Sequence, residues 1–396
     1  MSFFLSVVAG QGGAILPAAP GTLSLSGTAA DTIALSWSAG DAGGGTISGY
    51  AIKRDGGVIV ADTGSSGTTY SAGGLTASTT YNFNVAAINE VGTGPYGNTP
   101  SHTTGQLRFG YAFGGAAAST STTVDKFTFP SFTRSTLGTG LSVTNAYTSG
   151  HANSGVAGYC QGGSGTNTMS NKFVFSTDSR SNIAWLNPRG YGNAGCANSG
   201  TAGYVGGGFD NPTRFDSASK ITYSTDAVSN IASVLVTGTN NLGAFANSGT
   251  AGYWSGGWTG SAASATNKLT FSTDTSAAST ALAAGRYGVF GMANSGTAGY
   301  LAGGYDGSSF VTTVDKWLFA TDARSTTTAM SVARTYGMGF ADSGTAGYFG
   351  SGQSGGGSYQ PSIDKYAFPS DTRSAAASSM STSIEGASGC ANTAGL

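Results

Sequence analysis

The stretch GTAGYLAGG at residues 296–304 decides the fold, because it returns along most of the chain. It recurs as GTAGYVGGG at 200–208, GTAGYWSGG at 249–257 and GTAGYFGSG at 344–352, and less closely as GVAGYCQGG at 155–163 and FGYAFGG at 109–115. A lysine that precedes an apolar run, as in VDKWLF and SNKFVF, repeats in step with it. The two series are Tyr111, Tyr159, Tyr204, Tyr253, Tyr300, Tyr348 and Lys126, Lys172, Lys220, Lys268, Lys316, Lys365.

Both series advance by 45–49 residues, and each repeat contains several short runs of β-forming residues. A period of this length predicts one four-stranded unit per repeat, as in a β-propeller. Within a repeat the order is a Gly-rich inner strand, a tight turn, a strand that ends in Gly-Gly, a loop, and a strand with the lysine. This order resembles the kelch motif, and six repeats then imply a six-bladed propeller. We expect the repeated tyrosines and lysines to be structural.

The two ends of the repeat array complement each other. The array opens near Leu107 with a second strand that no inner strand precedes, and the chain finishes with SIEGASGCANTAGL, an inner strand and the start of a turn. We therefore predict that residues 391–395 pair with the strand that contains Tyr111. Such pairing would close the propeller and remove two open sheet edges that could template aggregation.

Residues 17–105 show short alternating runs separated by Gly, Ser and Thr, which is typical of an antiparallel sandwich. The pattern resembles a fibronectin type III domain, a class that usually serves as a spacer or docking module. We expect residues 1–16 to form an N-terminal arm and residues 106–396 the propeller. The residues that carry the resemblance are Pro17, Pro20, Trp37, Tyr50, Leu75 and Tyr81.

Composition narrows the functional class. Gly contributes 66 of 396 residues, charged residues only 9%, and the net charge is -1. Without a basic excess the chain is not expected to bind nucleic acid, and no apolar run is long enough to insert into a membrane. The opening stretch has no Lys or Arg before its apolar residues and is a poor secretory signal. Cys160, Cys196 and Cys390 do not form a disulfide framework, so we expect three free thiols.

An enzyme is disfavoured, and we expect neither a metal nor a cofactor. Galactose oxidase, a kelch-type propeller, needs His ligands for its copper, whereas this chain has His102 in the linker and His151 on an inner strand. The same shortage leaves no nucleophile–His–acid set. A glycosidase with a carboxylate pair stays open, because Asp210 and Asp306 lie on loops that we place on one face.

The positions that break the repeat are the better candidates for a binding site. The loops between the second and third strands differ in length and carry aromatic residues beside Asp and Arg, a combination suited to stacking on sugars and bonding their hydroxyls. A second set precedes the inner strands, and we expect it to form a polar ring at the channel mouth. The candidate ligand-binding residues are Phe209, Asp210, Arg214, Trp258, Tyr305, Asp306 and Tyr359 on the loops, and Arg189, Arg286 and Arg334 in the ring, which also includes Asn145, Asn240 and Glu385.

A fibronectin-type domain beside a Gly/Ser/Thr-rich β-array resembles the structural and adhesion proteins of tailed bacteriophages. That resemblance implies a non-enzymatic virion protein, a tail fibre or baseplate-associated component, assembled in the host cytoplasm. Residues 1–16 and the sandwich would bind other virion proteins, and the propeller would contact host surface polysaccharide. A homo-oligomer stays open, as do two alternatives: a bacterial surface or secreted glycan-binding adhesin, and a capsid decoration protein.

Overall fold

The structure, a computed structural model, describes residues 13–117, 119–164, 170–183 and 190–392. The chain divides into two compact units, Met1–Leu107 and Arg108–Leu396. Within the described residues the elements are β-strands and one short 3-10 turn at Gly355–Gly357, which confirms the all-β prediction. No α-helix in those ranges is long and apolar enough to cross a membrane.

The first unit is built from two antiparallel sheets. One sheet has the order β1-β2-β5, and the other has the order β4-β3-β6-β7 with β8 paired to β6. The strands are β1 (Ser24–Ser26), β2 (Ile33–Ser36), β3 (Gly49–Arg54), β4 (Gly57–Val60), β5 (Thr69–Ala72), β6 (Thr80–Asn89), β7 (Gly92–Tyr96) and β8 (Ser101–Thr103).

The core of the first unit contains the residues that suggested a fibronectin-type sandwich. Trp37 packs edge-on against Tyr50 with ring centroids 5.1 Å apart, and Leu75 is buried in the same core. The Tyr81 hydroxyl accepts a hydrogen bond from the Thr76 amide at 2.9 Å, as expected of a tyrosine corner. Of the predicted arm, Met1–Gly12 lie outside the described residues; Ile15 bonds through its amide to the Gly43 carbonyl.

The second unit consists of six antiparallel sheets, here numbered I to VI, each with four strands in its main path. Sheet I has the order β11-β10-β9-β35, and in sheets II to VI the strands follow chain order. Sheets I and II contain β9 (Phe109–Phe113), β10 (Val124–Thr128), β11 (Thr133–Thr136), β12 (Ser149–Asn153), β13 (Ala157–Gln161), β14 (Ser170–Val174), β15 (Ser179–Asn182) and β35 (Ser388–Asn392). Sheets III and IV contain β16 (Tyr191–Asn198), β17 (Ala202–Asp210), β18 (Thr213–Arg214), β19 (Ala218–Thr222), β20 (Ala227–Ile231), β21 (Gly243–Asn247), β22 (Ala251–Ser255), β23 (Thr266–Thr270) and β24 (Thr275–Ser279). Sheets V and VI, with one small hairpin, contain β25 (Phe290–Asn294), β26 (Ala298–Ala302), β27 (Val314–Leu318), β28 (Ala323–Thr326), β29 (Met338–Asp342), β30 (Ala346–Gly350), β31 (Gln353–Ser354), β32 (Ser358–Tyr359), β33 (Ile363–Ala367) and β34 (Thr372–Ala375).

The C-terminal strand β35 completes sheet I, as the repeat pattern predicted. Its pairing with β9 runs from Ser388 opposite Phe113 to Asn392 opposite Phe109, with Cys390 opposite Tyr111. The pairing therefore lies somewhat earlier than the predicted residues 391–395, of which 393–395 fall outside the described residues. Each inner strand packs against the inner strand of the next sheet, and β35 packs against both β29 and β12.

A closed ring of backbone hydrogen bonds joins the segments that lead into the six inner strands. In each case the amide donates to the carbonyl of the equivalent residue in the preceding segment, at 2.6–3.3 Å. All six residues have φ between 54° and 71°, a left-handed conformation that favours Gly and Asn. The ring runs through Tyr147, Gly192, Asn241, Gly288, Tyr336 and Gly386, and returns from Gly386 to Tyr147.

The repeated tyrosines and lysines bind a carboxylate in the following sheet. In sheet III, for example, the Tyr204 hydroxyl and the Lys220 ammonium contact the two oxygens of Asp274, at 3.1 and 2.6 Å. The same arrangement joins sheets I to V to their successors through Asp178, Asp226, Asp274, Asp322 and Asp371. Between sheets VI and I, Phe132 takes the place of the aspartate and stacks on Tyr348 at 4.0 Å. These residues are structural, as predicted.

The three cysteines are buried free thiols, in agreement with the prediction. Cys196 and Cys390 lie on the inner strands β16 and β35, and Cys160 lies on β13. Burial raises the pKa of the Cys160 thiol to about 11, although hydrogen bonds from Thr148 and Ser388 oppose the shift. The thiols therefore remain protonated at neutral pH and behave as small apolar core residues.

Candidate functional site

The divergent loops between the second and third strands fold into small hairpins. Phe209 pairs with Arg214, Trp258 bridges Ala262, and Tyr305 bridges Phe310 at equivalent positions of sheets III, IV and V. In sheet VI the hairpin is made by β31 and β32, where Gln353 lies opposite Tyr359. The aromatic side chains in these hairpins are partly exposed.

The hairpins of sheets III, IV and V join a chain of aromatic rings, here called the aromatic surface. Neighbouring ring centroids lie 5.0–6.5 Å apart, and most pairs meet edge-on or tilted, as aromatic pairs prefer. The chain runs Phe209–Tyr191–Tyr147–Tyr336–Tyr287, and from Tyr287 it branches to Trp258 and to Tyr305, which contacts Phe310. One continuous surface thus spans sheets II to VI.

Polar groups lie at the centre of the aromatic surface. The Tyr147 hydroxyl donates to Glu385 Oε1 at 2.6 Å, and Asn241 Nδ2 lies 3.4 Å from the Tyr336 hydroxyl. Burial raises the pKa of the Glu385 carboxyl, while the hydrogen bond from Tyr147 opposes that shift. Burial also raises the pKa of Tyr336, so this hydroxyl stays neutral and can donate or accept. The centre therefore offers both donors and acceptors beside ring faces.

The predicted ring residues that the structure describes are all buried, which corrects that part of the prediction. Arg286 and Arg334 are 2% and 0% exposed, and each lies beside a carboxylate of the third strand in its own sheet. Arg286 Nη2 contacts Asp315 at 2.5 Å, and Arg334 Nη2 lies 3.9 Å from Asp364. Burial lowers the pKa of both guanidinium groups and the carboxylates oppose the shift. A ligand on the surface cannot reach these side chains.

The polar ring was also assigned one residue out of step in some sheets. In every sheet, the second glycine of the repeated Gly-Gly position donates its amide to a backbone carbonyl in the segment before an inner strand, and this bond defines the ring position. The residues that accept it include Arg286 and Arg334, as predicted. In three other sheets the marked residues are Gly190, Thr239 and Ile384, so Arg189, Asn240 and Glu385 are each displaced by one residue. Arg189 itself lies outside the described residues. Asn145 is at the predicted position but is fully buried.

The remaining predicted residues are exposed or engaged locally. Asp210 is exposed at the end of β17. Asp306 Oδ1 accepts the amides of Ser308 and Ser309, both at 2.8 Å, which lowers the pKa of that carboxyl and makes it a turn residue. Arg214 lies over the Phe209 ring and donates from Nε to Asn240 Oδ1 at 3.1 Å. Within the described ranges, no three or more His, Cys, Asp or Glu residues are grouped so that they could hold a metal ion.

Both histidines have structural surroundings. His102 lies 2.7 Å from the Gly27 carbonyl in the first unit. His151 is buried between the Tyr223 hydroxyl and Gln161 Oε1, and it stacks on Tyr159. This confirms that His151 is a core residue.

His151 should make the folded protein less stable as the pH falls from 6.5 to 4. Burial lowers the pKa of His151 from 6.5 to about 4, so the unfolded chain binds a proton over this range that the folded chain does not. The loss between pH 6.5 and 4 should approach about 3 kcal/mol. Urea unfolding of the wild type and His151→Phe across this range would measure it, since Phe245 and Phe340 occupy the same strand position. Parallel pH profiles for the two proteins would contradict the assignment.

Sequence reasoning missed the tyrosines at the centre of the aromatic surface. Tyr147, Tyr191, Tyr287 and Tyr336 lie one or two residues after the polar positions that were selected. These tyrosines are absent from some repeats, and variation between repeats is the criterion that identifies the loop aromatics as candidates. Applied to the residues that precede the inner strands, the same criterion could have found them.

Comparisons with known proteins give a family match and structural matches. Residues 18–103 match the fibronectin type III domain family. Comparison with curated proteins gives no match. Among solved structures, one described as "Structure of YjhT" is similar with a TM-score of 0.55 at 15% identity, covering 67% of this chain and 97% of that one. At this identity the likeness concerns the fold alone. The chain therefore has an N-terminal fibronectin type III domain, followed by a β-sheet array whose fold is similar to that of a known structure.

Proposed function

We propose that the second unit is a six-bladed, kelch-like β-propeller that recognises carbohydrate. The closed hydrogen-bond ring and the completion of sheet I by β35 support the propeller. The observation that carries the function is the aromatic surface, which joins the divergent loops of sheets III to V into one continuous patch. Rings stack on the C–H faces of sugars, and the Asn241 amide and the Tyr hydroxyls at its centre can bond hydroxyls.

We further propose that the protein is a non-enzymatic virion component of a tailed bacteriophage, of the tail fibre type. The fibronectin type III domain would serve as a spacer and, with residues 1–16, bind other virion proteins. The aromatic surface would meet polysaccharide on the host cell. Detection of the chain in purified particles, followed by its location on the tail, tests this assignment. Its absence from particles would contradict it.

Substitution of the aromatic surface should weaken attachment to host polysaccharide. Trp258→Ala and Tyr305→Ala each remove a ring, and the loss should be about 1 kcal/mol per site, or about fivefold in Kd. Binding of labelled chain to isolated polysaccharide measures the effect, with thermal unfolding as a check on folding. Salt should change the affinity little, because a net charge of -1 gives little steering.

Leu318→Ala is the matched control, because Leu318 is 43% exposed on β27, outside the aromatic surface. It should leave attachment unchanged. If the two aromatic substitutions also leave attachment unchanged, while removal of the fibronectin type III domain abolishes function, the propeller is a structural part and does not bind the receptor.

A further inference from the structure

Sheet IV differs from sheets V and VI at one buried position. The amides of Gly257 and Gly304 donate to the carbonyls of Arg286 and Arg334, and the equivalent Gly208 amide donates to Thr239. Thr239 thus occupies in sheet IV the position that an arginine occupies in sheets V and VI. A guanidinium with a three-carbon stem is replaced there by a much shorter hydroxyl side chain.

The arginines of sheets V and VI fill a defined space. Arg286 Nη2 contacts Asp315 and lies 3.5 Å from the Leu301 carbonyl. Arg334 Nη1 donates to the carbonyls of Ser351 and Ser362, at 3.2 and 2.8 Å. In sheet IV, counted from the repeated Tyr253 and Lys268, the residues at these contact positions are Asn267 for the aspartate, and Trp254, Gly256 and Ala265 for the carbonyls.

In sheet IV this space is a cleft. Its volume is about 330 Å³, and its walls include Thr239 together with all four contact positions, Trp254, Gly256, Ala265 and Asn267. The volume is at the lower end of the range for small-ligand sites, roughly 300–1,000 Å³. The cleft is therefore the space that the Arg and Asp side chains fill in sheets V and VI.

The chemistry of the walls selects an uncharged occupant. Among the described residues that line the cleft there is no Asp, Glu, Lys or Arg, whereas hydroxyls and an amide stand beside apolar side chains. A cationic ligand group would lack the carboxylate that balances the guanidinium in sheets V and VI, and burying an unpaired charge is costly. The polar lining residues are Thr237, Thr239, Thr259, Ser264 and Asn267, and the apolar ones include Leu235, Leu242 and Trp254.

We propose that this cleft binds one neutral sugar residue. Thr259 in its wall directly follows Trp258, so a glycan on the aromatic surface could place one residue in the cleft. This inference rests on the proposed carbohydrate recognition and names its substrate class as uncharged hexose units. Acidic sugars should be excluded, because a carboxylate would be buried without a cation.

The test fills the cleft with an arginine and an aspartate, as found in sheets V and VI. In Thr239→Arg/Asn267→Asp the new pair should reproduce Arg286–Asp315 without altering the net charge. Saturation-transfer NMR of the full chain with methyl glucoside, galactoside, mannoside and N-acetylglucosaminide should show binding of at least one, weakened tenfold or more in this variant. The control Thr372→Arg/Ser374→Asp places the same pair on the exposed strand β34 and should bind as the wild type does.

Other probes and a second measurement keep the test decisive. In the wild type, the bound hexoside should give nuclear Overhauser contacts to the methyl groups of Leu235 and Leu242, which line the cleft. This measurement does not depend on whether the Thr239→Arg/Asn267→Asp variant folds. Glucuronic acid, N-acetylneuraminic acid and N-acetyl-arginine amide should not bind. Binding of the arginine amide in place of the hexosides, or no hexoside binding at millimolar concentration, would overturn the proposal.

The outcome separates this inference from the proposed function. If Trp258→Ala abolishes polysaccharide attachment and the filled variant retains it, the aromatic surface binds glycan and the cleft does not. If hexosides bind the cleft while neither Trp258→Ala nor Tyr305→Ala affects attachment, the sugar site stands and the attachment function is wrong.

Discussion

A chain that ends at Thr382 is expected to lose cooperative folding of its second unit. The deletion removes β35, so sheet I keeps three strands and β9 becomes an open edge. All five residues of β9 are buried in the intact protein, and the newly exposed strand FGYAF is aromatic and uncharged. Such an edge favours pairing between chains. The deletion also removes Gly386 and so interrupts the hydrogen-bond ring on both of its sides.

Light scattering and calorimetry would measure this result. The truncated chain should aggregate and lose the unfolding transition of the second unit, whereas the fibronectin type III domain, a compact unit of its own, should keep its transition. A chain that ends at Asn392 is the control, because it retains β35 and Gly386. A soluble, monodisperse 1–382 chain with both transitions intact would contradict the role assigned to β35.

The repeat array and the pairing of β35 with β9 could be predicted from the sequence because the same residue pattern occurs six times. Tyr111 and Cys390 could be placed opposite each other by aligning the two incomplete repeats with the five complete ones. The partner of the repeated Tyr and Lys was harder to find. Asp274 lies 54 residues after Lys220, in the next repeat, and a period aligns equivalent positions without saying which of them touch. Its signal, an Asp in each S-T-D type turn, is nevertheless visible in the sequence.

The site was predicted less well, for two physical reasons. The segments before the inner strands differ in length by one residue, and counting along the chain therefore selected Asn240 where the hydrogen bonds select Thr239. In addition, an arginine in a loop suggests exposure, whereas Arg286 is buried because the third strand supplies Asp315. Burial of a charge depends on a partner that is distant in sequence, and composition alone cannot reveal it.

The inner strands approach each other so closely that their central residues have almost no room for side chains. A Cβ built on Gly150 would lie 2.5 Å from the Gly389 carbonyl oxygen, and one on Gly195 would lie 2.7 Å from the Gly150 carbonyl oxygen. The equivalent residues are Gly150, Gly195, Ala244, Gly291, Gly339 and Gly389, and the added Cβ at each glycine meets the backbone of the preceding inner strand. Each glycine thus sets the spacing between two sheets.

Gly150→Val should therefore destabilise the second unit by about 3 kcal/mol or more, toward the upper end of overpacking costs. The branched side chain must separate β12 from β35, because its nearest neighbours are backbone atoms that cannot rotate away. The strain should extend to the hydrogen bond between Tyr147 and Gly386, just before these two strands. Gly138→Val is the matched control, since a Cβ at Gly138 has nothing within 4 Å. Urea unfolding should show a lower midpoint for Gly150→Val and an unchanged midpoint for Gly138→Val. Equal midpoints for the two variants would show that these glycines are not required by the close approach of the inner strands.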